Sequence, residues 1–313
     1  MELIRGLHNL RPRHHGCVAT IGAFDGVHLG HQAVIAHLLE QAREFGLPSL
    51  IIVFEPLPRE YFAPVEAPAR LMSFAEKFRA LEALGVERLL RIRFNQSLRR
   101  MSAQRFIDEI FVAALGVRYV VLGDDFRFGA GRQGDIEFIK QQGKKQGYEA
   151  VSTPTVELGG ERVSSTRIRS ALEEADFATA SALLGRPYSI TGRVILGRQL
   201  GRDIGAATAN LDLRRLRAPL SGVYAVEVSG AGLQSAPAVA NVGVRPTIND
   251  SIEANLEVHV LDRELDLYGR RISVTFRHKL RDEIKFASID ELRANIARDL
   301  NNARAWFQGA TLG

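Results

Sequence analysis

The feature that most constrains the fold is a change of hydrophobic period part-way along the chain. Up to "LLGRPYSI" (Leu183 to Ile190), apolar runs alternate with amphipathic stretches. Val18 to Ile21, "SLIIVF" (Ser49 to Phe54), "RLLRIRF" and "RYVVLG" read as buried strands. Between them, Ile35, Leu38, Leu39, Ala42 and Phe45 share one helical face, as do Phe74, Phe78 and Leu81 behind a Ser73/Glu76 capping box. "SAQRFIDEIFVAALG" and "DIEFIKQQGKKQG" continue the helices. Strands interleaved with helices predict a parallel sheet covered on both faces, with ligands at the carboxyl ends of the strands. After Ile190 the pattern is different: "ITGRVIL", "ATANLDL", "GVYAVEV", "PAVANVG", "NLEVHVL" and "RISVTF" are short β-type runs punctuated by Gly, Pro, Asn and Asp. They predict a small antiparallel barrel or sandwich, closed by a helix from Ser288 with Leu292, Ile296 and Leu300 on one face. A chain of 313 residues is long for one core. The expected division is an α/β domain over residues 1–185 and a β-barrel domain over 186–313.

Composition narrows the function classes. Apolar residues make up 46% and charged residues 25%, a soluble globular balance. No apolar run approaches the roughly 20 residues that cross a bilayer, and "MELIRGLHNLRPRHHG" lacks the h-region of a signal peptide. The single cysteine, Cys17, excludes an intramolecular disulfide and fits a reducing compartment. A cytoplasmic protein without a membrane partner is expected. A net charge of +5 is too dispersed to demand nucleic acid but suits the handling of anionic small molecules such as nucleotides.

The chemistry concentrates in a few stretches. "TIGAFDGVHLGHQ" (Thr20 to Gln32) places Gly22, Phe24, Asp25, His28 and His31 between a strand and a helix. Glycines there let a ligand approach the backbone, and the helix N-terminus offers free N–H groups to phosphate. Two imidazoles at that terminus can donate hydrogen bonds to phosphate oxygens as charge builds on them. A zinc site lacks plausible further ligands, and a dinucleotide fingerprint fails because Phe24, Asp25 and His28 occupy positions that need small residues. Incidental surface histidines on a turn remain the plain reading from spacing alone. "VSSTRIRSAL" sets Ser164, Ser165 and Thr166 before an amphipathic helix. A helix cap explains one hydroxyl, but not three followed by Arg167 and Arg169, and arginine grips phosphate bidentately. In the second half, glycines at 192, 197, 201 and 205 admit either a phosphate-covering loop or strand bulges. Thr208 and Asn210 point the same way from one strand, as hard oxygen donors for Mg²⁺ or as a solvated pair. Glu257 in "NLEVHVLD" is a solvated strand residue or, beside a metal-nucleotide, a proton acceptor. "ANVGVRPT" and "KLRDEIKF" are polar loop stretches of the kind that carry binding residues.

"GAFDGVHLGH" resembles the H-x-G-H motif of nucleotidylyltransferases in the form typical of bacterial bifunctional riboflavin kinase/FAD synthetases. "FEPLPREYF", "LGDDFRFGAG" and "VSSTRIRSAL" are similar to that family's flavin-side loop, nucleotide loop and S-S-T-x-I-R signature. Its riboflavin kinase module is matched in order by "GRVILGRQLGRDIGAATANLDL", "NVGVRPT", "EVH", "DLYG" and "LRDEIKF". The resemblance covers nearly the whole chain. It implies a Rossmann-like nucleotidylyltransferase domain and a kinase barrel that use ATP and Mg²⁺ to convert riboflavin to FMN and then FAD. It implies that His28 and His31 stabilise the α-phosphate, and that Arg169 with the serines holds the β- and γ-phosphates. Gly22, Phe24, Asp25, Asp125, Gly197, Gly201 and Arg202 would line the ATP sites. Thr208 and Asn210 would hold Mg²⁺, and Glu257 would be the base on the ribityl hydroxyl. Phe62, Phe126, Phe128, Arg245, Arg281 and Glu283 would meet flavin. In two places the chain departs from the family: Asp125 replaces a common asparagine, and "GAATAN" replaces G-F-P-T-A-N, so the kinase motif is the less complete. The alternatives are adenylyl transfer to another phosphate acceptor, with a barrel that only binds flavin, and RNA binding. The latter is disfavoured by barrel strands poor in aromatic residues.

Overall fold

The computed structural model describes residues 1–196, 208–215, 217–246, 252–263 and 265–310. The chain divides into two compact units: residues 1–68 with 74–164, and residues 69–73 with 165–313.

The first unit is built on a six-stranded parallel sheet in the order β1-β4-β3-β2-β5-β6. Its elements run β1 (Glu2–Arg5), β2 (Cys17–Ile21), α1 (Leu29–Phe45), β3 (Ser49–Glu55), α2 (Pro58–Phe62), α3 (Phe74–Ala83), β4 (Arg88–Arg93), α4 (Gln96–Arg100), α5 (Ala103–Phe106), β5 (Val117–Gly123), α6 (Ile136–Gln146) and β6 (Glu149–Thr153), then a hairpin of β7 (Glu157–Leu158) and β8 (Glu161–Arg162). Leu50, Ile51, Ile52 and Val53 of β3 are all fully buried, as expected for a strand covered on both faces. Burial of each such side chain contributes about 1.5–3 kcal/mol. The edge strands β1 and β6 were not legible in the sequence. β6 carries only one fully buried residue, so its apolar run is weak. The helix expected over "SAQRFIDEIFVAALG" starts at the Ser102 cap, but from Ile107 to Ala114 it widens to π geometry. The wider turn brings Phe106, Ile110, Phe111 and Leu115 onto the same core.

The strand order has one functional consequence. The chain runs outward from β2 through β3 to β4, then returns to β5 on the other side of β2. The sheet therefore reverses direction between β2 and β5, and an open α/β sheet presents its ligand crevice at that reversal, beyond the strands' carboxyl ends.

The second unit is a closed antiparallel barrel, β10-β13-β12-β11-β14-β9. It comprises α7 (Ser165–Glu173), α8 (Phe177–Leu184), β9 (Ser189–Ile195), β10 (Ala209–Asp212), β11 (Gly222–Gly230), β12 (Leu233–Pro246), β13 (Ile252–Val260), β14 (Arg271–Arg281) and α9 (Ile289–Ala310). β9 pairs with both β10 and β14, which closes the ring. Leu256, Val258, Ala240 and Val242 fill one face of β12 and β13. On the other face Val223, Ala225, Val239 and Leu261 pack against Ala303 of α9. Ser288 caps that helix, its hydroxyl accepting from the Glu291 N–H at 3.1 Å. α7 and α8 cluster with the barrel: the Phe177 ring of α8 stacks against Phe276 at 6.2 Å. The segment 69–73 is part of the same unit, its Leu71 carbonyl accepting from Tyr188 Oη at 3.3 Å and from Arg215 at 3.3 Å.

Candidate active sites

The loop from Gly22 to His28 leaves β2 beside the reversal point. Loops normally lie on the surface, yet Phe24, Asp25, Val27 and His28 are 2%, 3%, 1% and 7% exposed. Phe24 (φ 47°) and Val27 (φ 43°) hold left-handed backbone without being glycine, a conformation that persists only where surroundings enforce it. His28 is the N-cap of α1, and its Nδ1 accepts from the His31 N–H at 3.3 Å. The two imidazoles stack, with centroids 3.7 Å apart and planes 18° from parallel. A Cβ at Gly30 would lie 3.2 Å from the His28 ring, so a glycine is what leaves room for the stack. Burial holds the His31 pKa well below its usual value, and the charges of His28, Lys77 and Arg162 add to that. His31 is therefore neutral near pH 7. Its Nδ1 is buried and has no hydrogen-bond partner among the described residues, a cost of about 1–3 kcal/mol that folds tolerate at working sites.

Across the reversal point, Asp124, Asp125, Phe126 and Phe128 follow the end of β5 at Gly123. Arg162 pairs with Asp125 at 2.9 Å and Asp124 at 3.5 Å, and Thr155 donates to Asp124. Phe128 is 6% exposed, with its ring against Phe106 in the core, so it backs the site from behind. Phe126 stacks on it at 5.7 Å and is only partly buried. Phe62 stands at the end of α2, 56% exposed, with the Arg99 guanidinium 5.0 Å over its ring and Phe94 edge-on at 5.8 Å. Phe94 in turn meets Phe54, and Phe54 meets Phe106. A continuous row of rings thus runs from Phe62 to Phe126 along the ends of β3, β4 and β5.

Ser164 precedes α7, whereas Ser165 and Thr166 are already its first two residues, so the sequence expectation of three hydroxyls ahead of the helix is corrected to one. Arg169, on α7, donates from Nε to the Ala69 carbonyl.

On the barrel, strand register does the positioning. Asn210 lies opposite Glu257 and Glu257 opposite Asn241, so three polar side chains share one face across β10, β13 and β12. Asn210 is 4% exposed, and Asn255 donates to Glu257 at 3.0 Å. A Cβ at Gly243 would strike the Glu283 carboxylate, which places Glu283 over β12 two residues from Asn241. Arg281 is held from behind: Nε and Nη2 form a fork onto Asp299 of α9 at 2.9 and 2.7 Å. Thr208 directly precedes β10, and Arg245 lies on β12 opposite Glu253. Gly197, Gly201, Arg202 and the Ala206–Ala207 pair lie outside the described residues. Among the described residues no group of three His, Cys, Asp or Glu side chains could hold a metal. The Thr208 hydroxyl and the Asn210 amide oxygen are hard donors of the kind that Mg²⁺ accepts.

The FAD synthetase family model matches residues 10–167, and the riboflavin kinase model matches residues 184–307. A Pseudomonas fluorescens bifunctional riboflavin kinase/FMN adenylyltransferase is 53% identical over 97% of both chains. Its Escherichia coli counterpart is 50% identical over 98% of both. The chain belongs to this family. A solved Streptococcus pneumoniae structure described as a macrolide-efflux protein aligns over 98% of this chain and 100% of its own, with 30% identity and a TM-score of 0.76. No helix among the described residues is long and apolar enough to cross a membrane. Sequence reasoning missed several residues of the two family sites. Asn241 joins Glu257 only through register, and Asn255 reaches it as a neighbour two positions back on the same strand. Arg162, distant in sequence from Asp125, gave no signal at all.

Proposed function

We propose that this chain makes FAD from riboflavin in two steps, phosphorylating riboflavin with ATP on the barrel and adenylylating FMN with a second ATP on the parallel-sheet unit. The observation that carries the reading is the His28–His31 stack, seated on a helix N-terminus at the sheet's reversal point with an unsatisfied buried nitrogen. In the adenylyl step an FMN phosphate oxygen attacks the α-phosphorus, and the bond to the β-phosphate breaks with pyrophosphate leaving. No protein nucleophile is required; positioning and charge stabilisation carry the step. His28, His31 and the α1 amides face the charge on the α-phosphate. Arg169, Ser164, Ser165 and Thr166 hold the outer phosphates, as their signature implies. Gly22, Phe24, Asp25 and Asp125 line the nucleotide side. Phe62 and Phe126 take the flavin ring, with Phe128 as support.

On the barrel, Glu257 accepts the proton of the ribityl hydroxyl as its oxygen attacks the γ-phosphorus and ADP leaves. Thr208 and Asn210 hold Mg²⁺, which supplies charge neutralisation to the ATP phosphates. Glu283, Arg245 and Arg281 border the flavin, with Arg281 held in place by Asp299 of α9. Gly197, Gly201 and Arg202 cover the phosphates. The activities divide at residues 185/186, and the enzyme works in the cytoplasm. Incubation with riboflavin, ATP and Mg²⁺ followed by chromatography should show FMN and then FAD; recovery of riboflavin alone would refute the reading.

A further inference from the structure

A buried lysine lies beneath the adenylyl-transfer loop. Lys77, on α3, is 1% exposed, and its Nζ donates to the Ala23 carbonyl at 2.6 Å. Lysine is among the residues least often fully buried, and an ammonium is removed from water only where the fold has a use for its hydrogen bonds or charge. Ala23 lies between Gly22 and the left-handed Phe24, at the one point where the loop turns from β2 toward His28. The turn contains a second left-handed side chain at Val27 and a glycine at Gly26 (φ 87°). Relaxation of either left-handed residue into ordinary backbone would swing His28 off the α1 N-terminus. Lys77 also acts on His31 at a distance: after burial, its charge is among those that oppose His31 protonation, with that of Arg162.

We propose that Lys77 is a positioning residue of FAD formation: its ammonium pins the Ala23 carbonyl and so holds the strained loop that presents His28 and His31. The inference rests on the adenylyl-transfer reading above. Lys77 touches no reacting atom in this assignment and acts through the loop and through His31. A charge-assisted hydrogen bond onto a backbone carbonyl is shorter and stronger than a neutral one, which suits a contact that must oppose backbone strain. Misplacement of catalytic groups by about an ångström can lower a rate about a hundredfold.

The test compares Lys77→Met and Lys77→Gln with the parent chain, in the full-length protein, with FAD formation from FMN and FMN formation from riboflavin measured separately. Thermal unfolding of the full-length chain, followed by circular dichroism, reports on folding of the parallel-sheet unit, and kinase turnover reports on the other unit. Lys77→Met should lower kcat for FAD formation about ten- to a hundredfold and leave FMN formation intact. Lys77→Gln, which keeps a donor for Ala23, should recover part of that loss. In both variants one cation near His31 is gone, so the acid limb of the FAD-forming pH profile should move to higher pH. FAD formation by Lys77→Met at the parent rate with an unmoved limb would overturn the proposal, as would equal loss of both activities in the two variants. If Lys77→Met does not fold, Lys77→Gln carries the test through the position of its acid limb, and an unmoved limb overturns the proposal. If the parent chain itself makes no FAD from FMN, it is the adenylyl-transfer reading that fails.

Discussion

The two sites are held by opposite means. On the parallel-sheet unit, the working groups hang on a loop whose backbone is left-handed at Phe24 and Val27 and which is buried on nearly every side. On the barrel, Asn210, Glu257 and Asn241 stand on paired strands, and their juxtaposition is a matter of register alone. A loop site needs support from behind, which here comes from the Lys77 ammonium and the Gly30 clearance. A strand site inherits its precision from the ladder hydrogen bonds, since a one-residue slip would turn every side chain to the other face. Disturbance of the first should therefore loosen geometry gradually, while disturbance of the second should remove a group and leave the frame.

The largest expected effect breaks the comparison most directly. Glu257→Gln keeps the shape and removes the base, so FMN formation should fall about 10²–10⁴-fold while FAD formation from supplied FMN is untouched. Separate initial rates for the two steps decide it, and a loss in both would mean that the sites are not independent. His28→Ala is the mirror experiment. It removes a helix cap and an imidazole together, so FAD formation should drop about 10²–10³-fold with kinase turnover preserved. Gly243→Ala sharpens the register argument: the new methyl meets the Glu283 carboxylate. The clash falls on the outer end of an exposed, flexible side chain that can swing aside, so the denaturant midpoint of the barrel should change little while the KM for riboflavin rises.

The smallest effect is electrostatic. His31 is held neutral in the fold, whereas in the unfolded chain it titrates near pH 6.5. Below about pH 6.5 the unfolded state binds the extra proton, so stability falls with pH until the lowered native pKa is reached, and nothing is lost above neutrality. His31→Gln should flatten that part of the stability–pH curve for the parallel-sheet unit, as followed by thermal unfolding across the range. An identical slope in parent and variant would show that His31 is not the titrating group.

Much of this organisation was legible in residue order because period and turn chemistry are local properties. The switch from interleaved helices to short β runs after Leu183 gave both architectures, and the runs of the second half became β9 to β14. The N-cap at Ser288 follows from residue type at a helix start. Lys77 was missed for an instructive reason. It falls three residues after Phe74 and four before Leu81, squarely on the apolar stripe of α3, but a lysine in "FAEKFRAL" ordinarily lifts its charge into water. Arg281 shows the same limit: no local pattern announces that its guanidinium pairs with an aspartate eighteen residues away.

By itself, the sequence determined the parallel-sheet and barrel scaffolds, the family and the chemistry of each loop, because apolar spacing, glycine placement and histidine or arginine identity act over a few neighbouring residues. Only the tertiary structure decided which groups meet. The strand order β4-β3-β2-β5 puts two distant loops at one crevice, β-ladder register joins Asn210, Glu257 and Asn241, and α3 carries an ammonium under Ala23. Those encounters arise from packing between segments tens of residues apart, where no local pattern records the partner.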